Sequence, residues 1–389
     1  MPTTALSRVK EAPSPGPDRM RIVFVHRTVN DYTVETPYQR GIGGTESALC
    51  YLSVELAKRG HAVSLLTSTS APGRYRDVEC LNYKTSLTPD LINAADVVVV
   101  SNEACGRTLK DEFRAKKPLV MWNQHADDQP AIEALEFTRE RKAWASIAFV
   151  SEWQRDQFCN IYWIDRDKTR VMRNAISPAF AEAAPARPWF QSGRAPVLVY
   201  TSAPYRGLDV LLDAVPIIRS AISDMRLRVF SGSRLHQAAT ENDPNAELYG
   251  RCAAMEGVDY IGTIPQTELA RELSHAAALA YPSTFPETSC IAAMEAMSAG
   301  ATVLTTHSGA MPETTAGFAS MIEPCEDPGR LAKEFAQMAI DALAEARREP
   351  NCAEVRRSQQ IEFARLNYSW EARALEWESY LSEIVRQNF

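Results

Sequence analysis

From Arg21 onward the chain alternates short, wholly apolar, β-branched runs with longer stretches in which apolar residues recur every three or four positions. Strands that are apolar on both sides bury both faces, so this alternation predicts parallel sheets wrapped by helices. The first series of strands falls at residues 22–26, 62–67, 96–101, 119–124, 147–151 and 169–173. Between the first two, residues 46–59 predict a helix with Leu49, Leu52 and Leu56 on one face and Gly60 as its stop.

Residues 181–188, Ala-Glu-Ala-Ala-Pro-Ala-Arg-Pro, interrupt the pattern with small residues and prolines, the composition of a linker. A second series of strands follows at 197–201, 227–231, 260–262, 279–282, 302–305 and 320–323, each leading into a helical stretch. One open sheet of roughly a dozen strands would exceed the usual size, so two doubly wound α/β units are expected, one on each side of the linker. The end of the chain departs from the alternation. Ser369 is placed to cap a helix in which Trp370, Ala374, Trp377, Leu381 and Ile384 form one stripe. Two tryptophans on one stripe demand a surface, either on the second unit or back on the first.

With 389 residues the chain can build two large cores. Its 42 Lys and Arg against 49 Asp and Glu leave a net charge of −7. The overall basic footprint of a nucleic-acid binder is therefore missing, no nucleic acid partner is expected, and any bound anion must be held locally. The eight cysteines form no Cys-x-x-Cys pair and read as reduced thiols. Near the start, Pro13, Pro15 and Pro17 replace the apolar core of a signal peptide. The mainly apolar stretch 94–100, interrupted by Asp96, falls far short of the about 20 residues a bilayer span needs. A loose N-terminal tail and a cytoplasmic location are expected.

Two segments carry candidate chemistry. Gly41-Ile42-Gly43-Gly44-Thr45-Glu46 opens the first helix, where glycines allow close backbone approach and free N–H groups attract phosphate. The same residues would equally serve as an ordinary helix-opening turn. The dinucleotide fingerprint Gly-x-Gly-x-x-Gly is not matched, which disfavours a dehydrogenase. The second segment runs from Pro282 to Gly300: after an apolar strand, Thr288 or Ser289 is placed to cap a helix that Gly300 stops. Glu287 falls in the loop at a strand's carboxyl end and Glu295 about two turns inside the helix. Two carboxylates bracketing free helix amides suit a nucleotide sugar, with one carboxylate on sugar hydroxyls, the amides on the diphosphate and the other carboxylate on the ribose.

Glu287 and Glu295, separated by seven residues, resemble the Glu-x7-Glu motif of the family 4 retaining glycosyltransferases, and Gly309-Ala310-Met311-Pro312-Glu313 is similar to that family's loop after the next strand. The segment beginning Tyr205-Arg206-Gly207-Leu208 resembles its basic-plus-glycine element, and Asn123-Gln124-His125 its acceptor-side histidine at a strand end. Phe149 to Trp153 and Val171 to Ala175 are similar to its next two strand ends, and Gly43-Gly44 to its first-domain phosphate loop. The resemblance runs from about Ile22 to Trp370.

The resemblance implies a GT-B fold, two facing Rossmann-like domains with a cleft between them, and a C-terminal helix that is a candidate to pack back on the first. The expected division is a tail at 1–19, an acceptor-binding domain at 20–184, a nucleotide-sugar-binding domain at 185–368 and the C-terminal helix at 369–389. It implies retaining transfer of a hexose-type sugar to a hydroxyl of a glycan, lipid-linked or small-molecule acceptor, with no cofactor and no essential metal. Glu287, His125 and Arg206 are the implied catalytic residues, Arg206 neutralising the diphosphate. Gly43, Gly44, Arg206, Glu287, Thr288, Ser289, Cys290, Ile291 and Glu295 are the implied donor-binding set.

The chain also departs from the family. An additional arginine expected before Arg206 is replaced by Tyr200-Thr201-Ser202-Ala203-Pro204, with Arg234 as a candidate substitute. Alternatives are a GT-B protein that binds nucleotide sugar without turnover, a sugar-nucleotide epimerase of related fold, and a metal-dependent transferase using Asp165-Arg166-Asp167. The run Arg139-Glu140-Arg141-Lys142 is a candidate for peripheral contact with the inner face of a membrane, against the more ordinary reading of a solvated helix face.

Overall fold

The structure is a computed structural model that describes residues 19–232 and 243–388; the expected tail, apart from Arg19, and the candidate Arg234 lie outside the described residues. Two sheets form. The first contains β1 (Arg21–Val25), β2 (Ala62–Thr67), β3 (Gly73–Tyr75), β4 (Val78–Asn82), β5 (Val97–Ser101), β6 (Leu119–Asn123), β7 (Ser146–Phe149) and β8 (Thr169–Val171). Their order is β3-β4-β2-β1-β5-β6-β7-β8, parallel except for the β3–β4 hairpin at one edge. The second contains β9 (Val197–Tyr200), β10 (Arg226–Val229), β11 (Val258–Tyr260), β12 (Ala278–Tyr281), β13 (Thr302–Thr306) and β14 (Ser320–Ile322), all parallel in the order β11-β10-β9-β12-β13-β14.

The wholly apolar runs become the central strands. Val97 to Val100 and Leu119 to Trp122 are completely buried, as strands covered by helices on both faces must be. The β3–β4 hairpin was not foreseen. Its turn, Arg76-Asp77, has both residues at positive φ, and no glycine or asparagine marks it in the sequence. The linker reading of 181–188 is corrected in part. Ala181 and Glu182 end a short helix, Pro178–Glu182, because Pro178 supplies a preformed helix start and Phe180 buries itself completely.

Both sheets reverse their winding once. In the first the reversal lies between β1 and β5, in the second between β9 and β12. Loops leaving the carboxyl ends of strands diverge at such a point and open a crevice, the usual ligand site of open α/β sheets.

Three long helices, Pro328–Arg348, Pro350–Asn367 and Trp370–Gln387, close the chain. The last returns to the first domain, where Trp377 packs edge-on against Trp122 (4.9 Å between centroids) and Phe24 (6.4 Å). Tyr380 donates a hydrogen bond to Ser146 (2.7 Å), and Arg59 Nε bonds Glu378 (2.7 Å). The tryptophan stripe thus chooses the first sheet, whose strands β1 and β6 supply the matching aromatics.

Candidate active site

The two reversal points meet in one cleft of about 650 Å³. His26 and Arg27 after β1, Asn102 and Glu103 after β5, and Gln124 and His125 after β6 line one wall. Ser202 and Arg206 after β9, and the loop from Phe285 to Ile291 after β12, line the other. All ten residues nominated from sequence reach this cleft: Gly43, Gly44, His125, Arg206, Glu287, Thr288, Ser289, Cys290, Ile291 and Glu295.

On the second-domain wall Glu287 is buried, yet its carboxylate faces the cleft. It accepts a hydrogen bond from Arg206 Nη1 (2.7 Å) and a short one from the Tyr281 hydroxyl. Burial alone would lower the Arg206 pKa, but Glu287 and the phenols of Tyr281 and Tyr205 outweigh it, and the guanidinium is held firmly charged. Its plane also lies over the Phe285 ring at 4.5 Å, and its Nε has no partner among the described residues. Arg206 therefore has one edge on Glu287 and a further donor to offer.

Gly207 holds this arrangement. It sits at φ +108°, and a Cβ there would collide with the Pro282 carbonyl, so only glycine lets the Arg206 turn press against the strand that leads to Glu287. Where the family's additional arginine was sought, hydroxyls take its place. Ser202 donates to Tyr281 (3.2 Å), and Ser231 donates to the Ser202 carbonyl (2.7 Å).

The helix Ile291–Ala299 starts later than the sequence suggested. Its N-cap is Cys290, with no side-chain cap, so its first amides are left without an intrahelical acceptor, and Cys290, Ile291 and Ala292 line the cleft. The expected cap is corrected. Thr288 donates to the Gln124 carbonyl across the cleft (2.8 Å), and the Ser289 hydroxyl is buried without a partner among the described residues. Burial pushes the Cys290 thiol well up, which makes it an inert wall residue rather than a nucleophile. Burial also raises the Glu295 carboxyl to about 8, against one backbone hydrogen bond at Ser177 that lowers it.

The first-domain wall is built from a chain of amides. Asn102 Nδ2 donates to Thr45 (3.2 Å), Gln124 N donates to Asn102 Oδ1 (2.6 Å), and Asn174 Nδ2 donates to Gln124 Oε1 (3.2 Å). This ties the glycine loop to the ends of β5, β6 and β8. His125 sits at its centre, and both nearby carbonyls are taken: that of Gln124 by Thr288, its own by Gln154 Nε2 (2.7 Å). The ring remains. Its Nδ1 is buried without a partner among the described residues, and burial, followed by neighbouring His26, lowers its pKa, which favours the neutral ring. The helix Gly44–Lys58 begins two residues before the predicted start, and its third residue, Glu46, is a buried carboxylate bonded by Asn30 (2.6 Å).

Other nominations fall elsewhere. Asp165 caps a surface turn by accepting from Asp167 N (3.0 Å), remote from the cleft lining, and no cluster of three or more metal-binding side chains occurs among the described residues. In the basic run, Glu140 points inward to cap residues 106–107, and Arg141 is tied to the carbonyls of Leu135 and Glu136 (2.7 Å each). No described helix is long and apolar enough to cross a membrane. The sequence reading missed Tyr281 and Gln154, and quoted Glu46 only as part of the glycine segment and of the helix it opens. Gln154 had a readable signal, because Ser151-x-x-Gln154 is the spacing of a capping box.

Two parallel-sheet α/β domains that face each other across a cleft formed by their reversal points, with C-terminal helices closing the chain, make up the GT-B glycosyltransferase fold. Within it, residues 195–341 match the family model of the glycosyl transferases group 1. Among solved structures, the chain is similar to a glycosyltransferase from Rickettsia africae, with TM-score 0.71 and 15% identity over 94% of this chain and 99% of that one. It is also similar to sucrose-phosphate synthase from Thermosynechococcus elongatus, with TM-score 0.68 and 16% identity over 94% and 100%. Anabaena HepE in complex with UDP-glucose gives TM-score 0.65 and 15% identity over 94% and 100%. No curated protein matches its sequence.

Proposed function

We propose that the protein is a retaining glycosyltransferase that moves a hexose-type sugar from a nucleotide diphosphate sugar to an acceptor hydroxyl. The observation that carries this reading is the convergence in one cleft of Glu287, Arg206, the free amides at the start of the Ile291 helix and Glu295, with His125 on the facing wall. The group 1 family match over the second domain supports glycosyl transfer, and the UDP-glucose complex of HepE supports a uridine nucleotide as donor.

Each residue has a physical task. The amides and the free donors of Arg206 take the diphosphate, and Glu287 accepts from sugar hydroxyls while Arg206 and Tyr281 hold it in place. Glu295 accepts from the ribose hydroxyls. The bond from the sugar's anomeric carbon to the diphosphate oxygen breaks as the acceptor oxygen bonds the same face, and the acceptor proton passes to the departing phosphate oxygen. The neutral His125 ring offers a lone pair or a proton near the electron-poor sugar without adding positive charge there. No side-chain base and no metal ion enters these steps.

The test begins with a screen of uridine, guanosine and adenosine diphosphate sugars for binding and slow hydrolysis, repeated in EDTA. A uridine donor should be turned over in both conditions, and the anomeric configuration of the transferred sugar, read by NMR, should equal that of the donor. Glu287→Gln should lower turnover by roughly 100-fold or more while leaving the fold intact, since it loses the charged acceptor at the sugar. Inverted product, dependence on a metal ion, or full activity in Glu287→Gln would overturn the reading.

A further inference from the structure

The sequence singled out Gly309 to Glu313 and Phe149 to Trp153, and none of the chemistry above uses Glu313. In the structure it ties the two domains together on one side of the cleft. Its carboxylate accepts from the backbone N–H of Glu152 (2.9 and 3.1 Å to its two oxygens) and of Trp153 (3.3 Å), and from Arg173 Nη2 (2.7 Å). Glu313 lies in the short helix Met311–Thr315 of the second domain, whereas its three donors belong to the first. A carboxylate on the first amides of a helix, paired with an arginine, is a charge-assisted contact stronger than an ordinary surface ion pair.

From this point one hydrogen bond leads to each wall of the cleft. On the first-domain side, the helix Glu152–Tyr162 held by Glu313 has the fully buried Gln154 as its third residue, and Gln154 Nε2 donates to the His125 carbonyl (2.7 Å). Gln154 is fixed in turn by accepting from Val150 N (2.9 Å) while its own N–H donates to Ser151 (3.0 Å). On the second-domain side, the loop that opens the Met311 helix lies directly on Glu287, because Ala310 N donates to the Glu287 carbonyl (2.7 Å). Gly309, at φ +60°, has no room for a Cβ, which would meet the Glu287 peptide. His125 and Glu287 belong to different domains, and one path of hydrogen bonds between their peptide groups runs through the Glu313 carboxylate.

We propose that Glu313 is a positioning residue: by docking on the start of the Glu152 helix it sets the Glu287 loop and the His125 loop in register, so that the two walls form one site only when the domains are latched. The assignment rests on the glycosyl-transfer reading for its catalytic consequence but not for its structural one. Glu313 touches neither reacting group. Thr288, bonded to the Gln124 carbonyl, is a second and independent tie, so loss of Glu313 should loosen the site without separating the domains.

The test compares Glu313→Ala and Glu313→Gln with the wild type by amide hydrogen exchange and by donor turnover. In Glu313→Ala, exchange should rise at least about tenfold at residues 124–126 and at 285–289, on opposite sides of the cleft, in addition to 152–155. Turnover should fall by roughly 100-fold, with the donor KM changed by no more than about threefold, as expected when reacting groups are misaligned and donor contacts are kept. Glu313→Gln retains an acceptor oxygen for the two amides and should recover most of the protection and turnover. If Glu313→Ala does not fold, Arg173→Ala, which removes only the guanidinium donor, should move the same peptides in the same direction by a smaller factor. A rise confined to 152–155, or wild-type turnover in Glu313→Ala, would overturn the proposal. If the wild type turns over no donor, the glycosyl-transfer reading fails, while the exchange result still decides the link.

Discussion

Glu287 and Glu295 share a motif and have opposite environments. Glu287 is buried but opposed by Arg206 and Tyr281, whereas Glu295 is buried among neutral groups and its carboxyl is raised to about 8. A carboxyl with a raised folded pKa binds its proton more tightly when folded. Between its ordinary value near 4.5 and about 8, the folded chain therefore holds a proton that the unfolded chain has released, and stability falls as pH rises through that window. Glu295→Gln should remove this slope and stabilise the protein at pH 8 by a few kcal/mol, on the order expected for a shift of several pKa units. Urea unfolding at pH 5 and pH 8 checks it, and an unchanged slope in the variant would assign the pH dependence to other groups. Arg206→Lys keeps the charge but loses the stacking on Phe285 and the planar fork, so turnover should drop by roughly ten- to 100-fold. Steady-state kinetics with the donor found above measures it. The spacing of the two glutamates and the basic residue before Gly207 were legible in the chain. Tyr281 and the partners of Glu313 were not, because a contact with a residue distant in sequence leaves no local pattern.

Elements were read well where period and stop signals agreed. Eleven of the twelve anticipated strands form close to their expected bounds, the one expected at 260–262 lies two residues earlier at Val258–Tyr260, and Gly300 ends its helix in the left-handed conformation. They were misread where a side chain had a distant alternative. Thr288 carries the chemistry of an N-cap, but a carbonyl on the opposite domain takes its hydroxyl, and the helix starts at Cys290 with its amides open to the cleft. That displacement is what leaves an anion site at the helix start. The turn at Gly207 gives an element-level prediction. Gly207→Ala adds a Cβ at positive φ against the Pro282 carbonyl, and should cost at least about 2 kcal/mol in stability. It should also displace Arg206 and lower turnover more than the stability loss explains. Denaturation midpoints and kinetics on the folded variant separate the two effects, and an alanine variant with wild-type turnover would show that the turn does not position Arg206.

At the scale of the whole molecule, the last helix makes the two domains one unit, since a chain that has built the second domain ends on the first. Trp377 is fully buried between β1 and β6 aromatics, so Trp377→Ala should destabilise the protein by roughly 3–5 kcal/mol. Trp377→Phe should cost less than half as much, because the indole N–H has no partner among the described residues and its removal leaves nothing unsatisfied. Thermal or urea unfolding of both variants ranks them, and equal losses would mean that the contact is not set by ring packing.

The sequence by itself determined two α/β units, twelve of the fourteen described strands, the carboxylate pair with its basic partner, and a C-terminal helix in need of a surface, because apolar period, capping chemistry and motif spacing are local properties of the chain. Tertiary structure alone decided which surface that helix covers, that the reversal points of the two sheets open into one cleft, that Thr288 reaches across the cleft instead of capping, and that Glu313 joins the two walls. Those outcomes depend on which groups meet after residues more than a hundred positions apart are brought together, and a pattern that repeats every two or four residues carries no information about such partners.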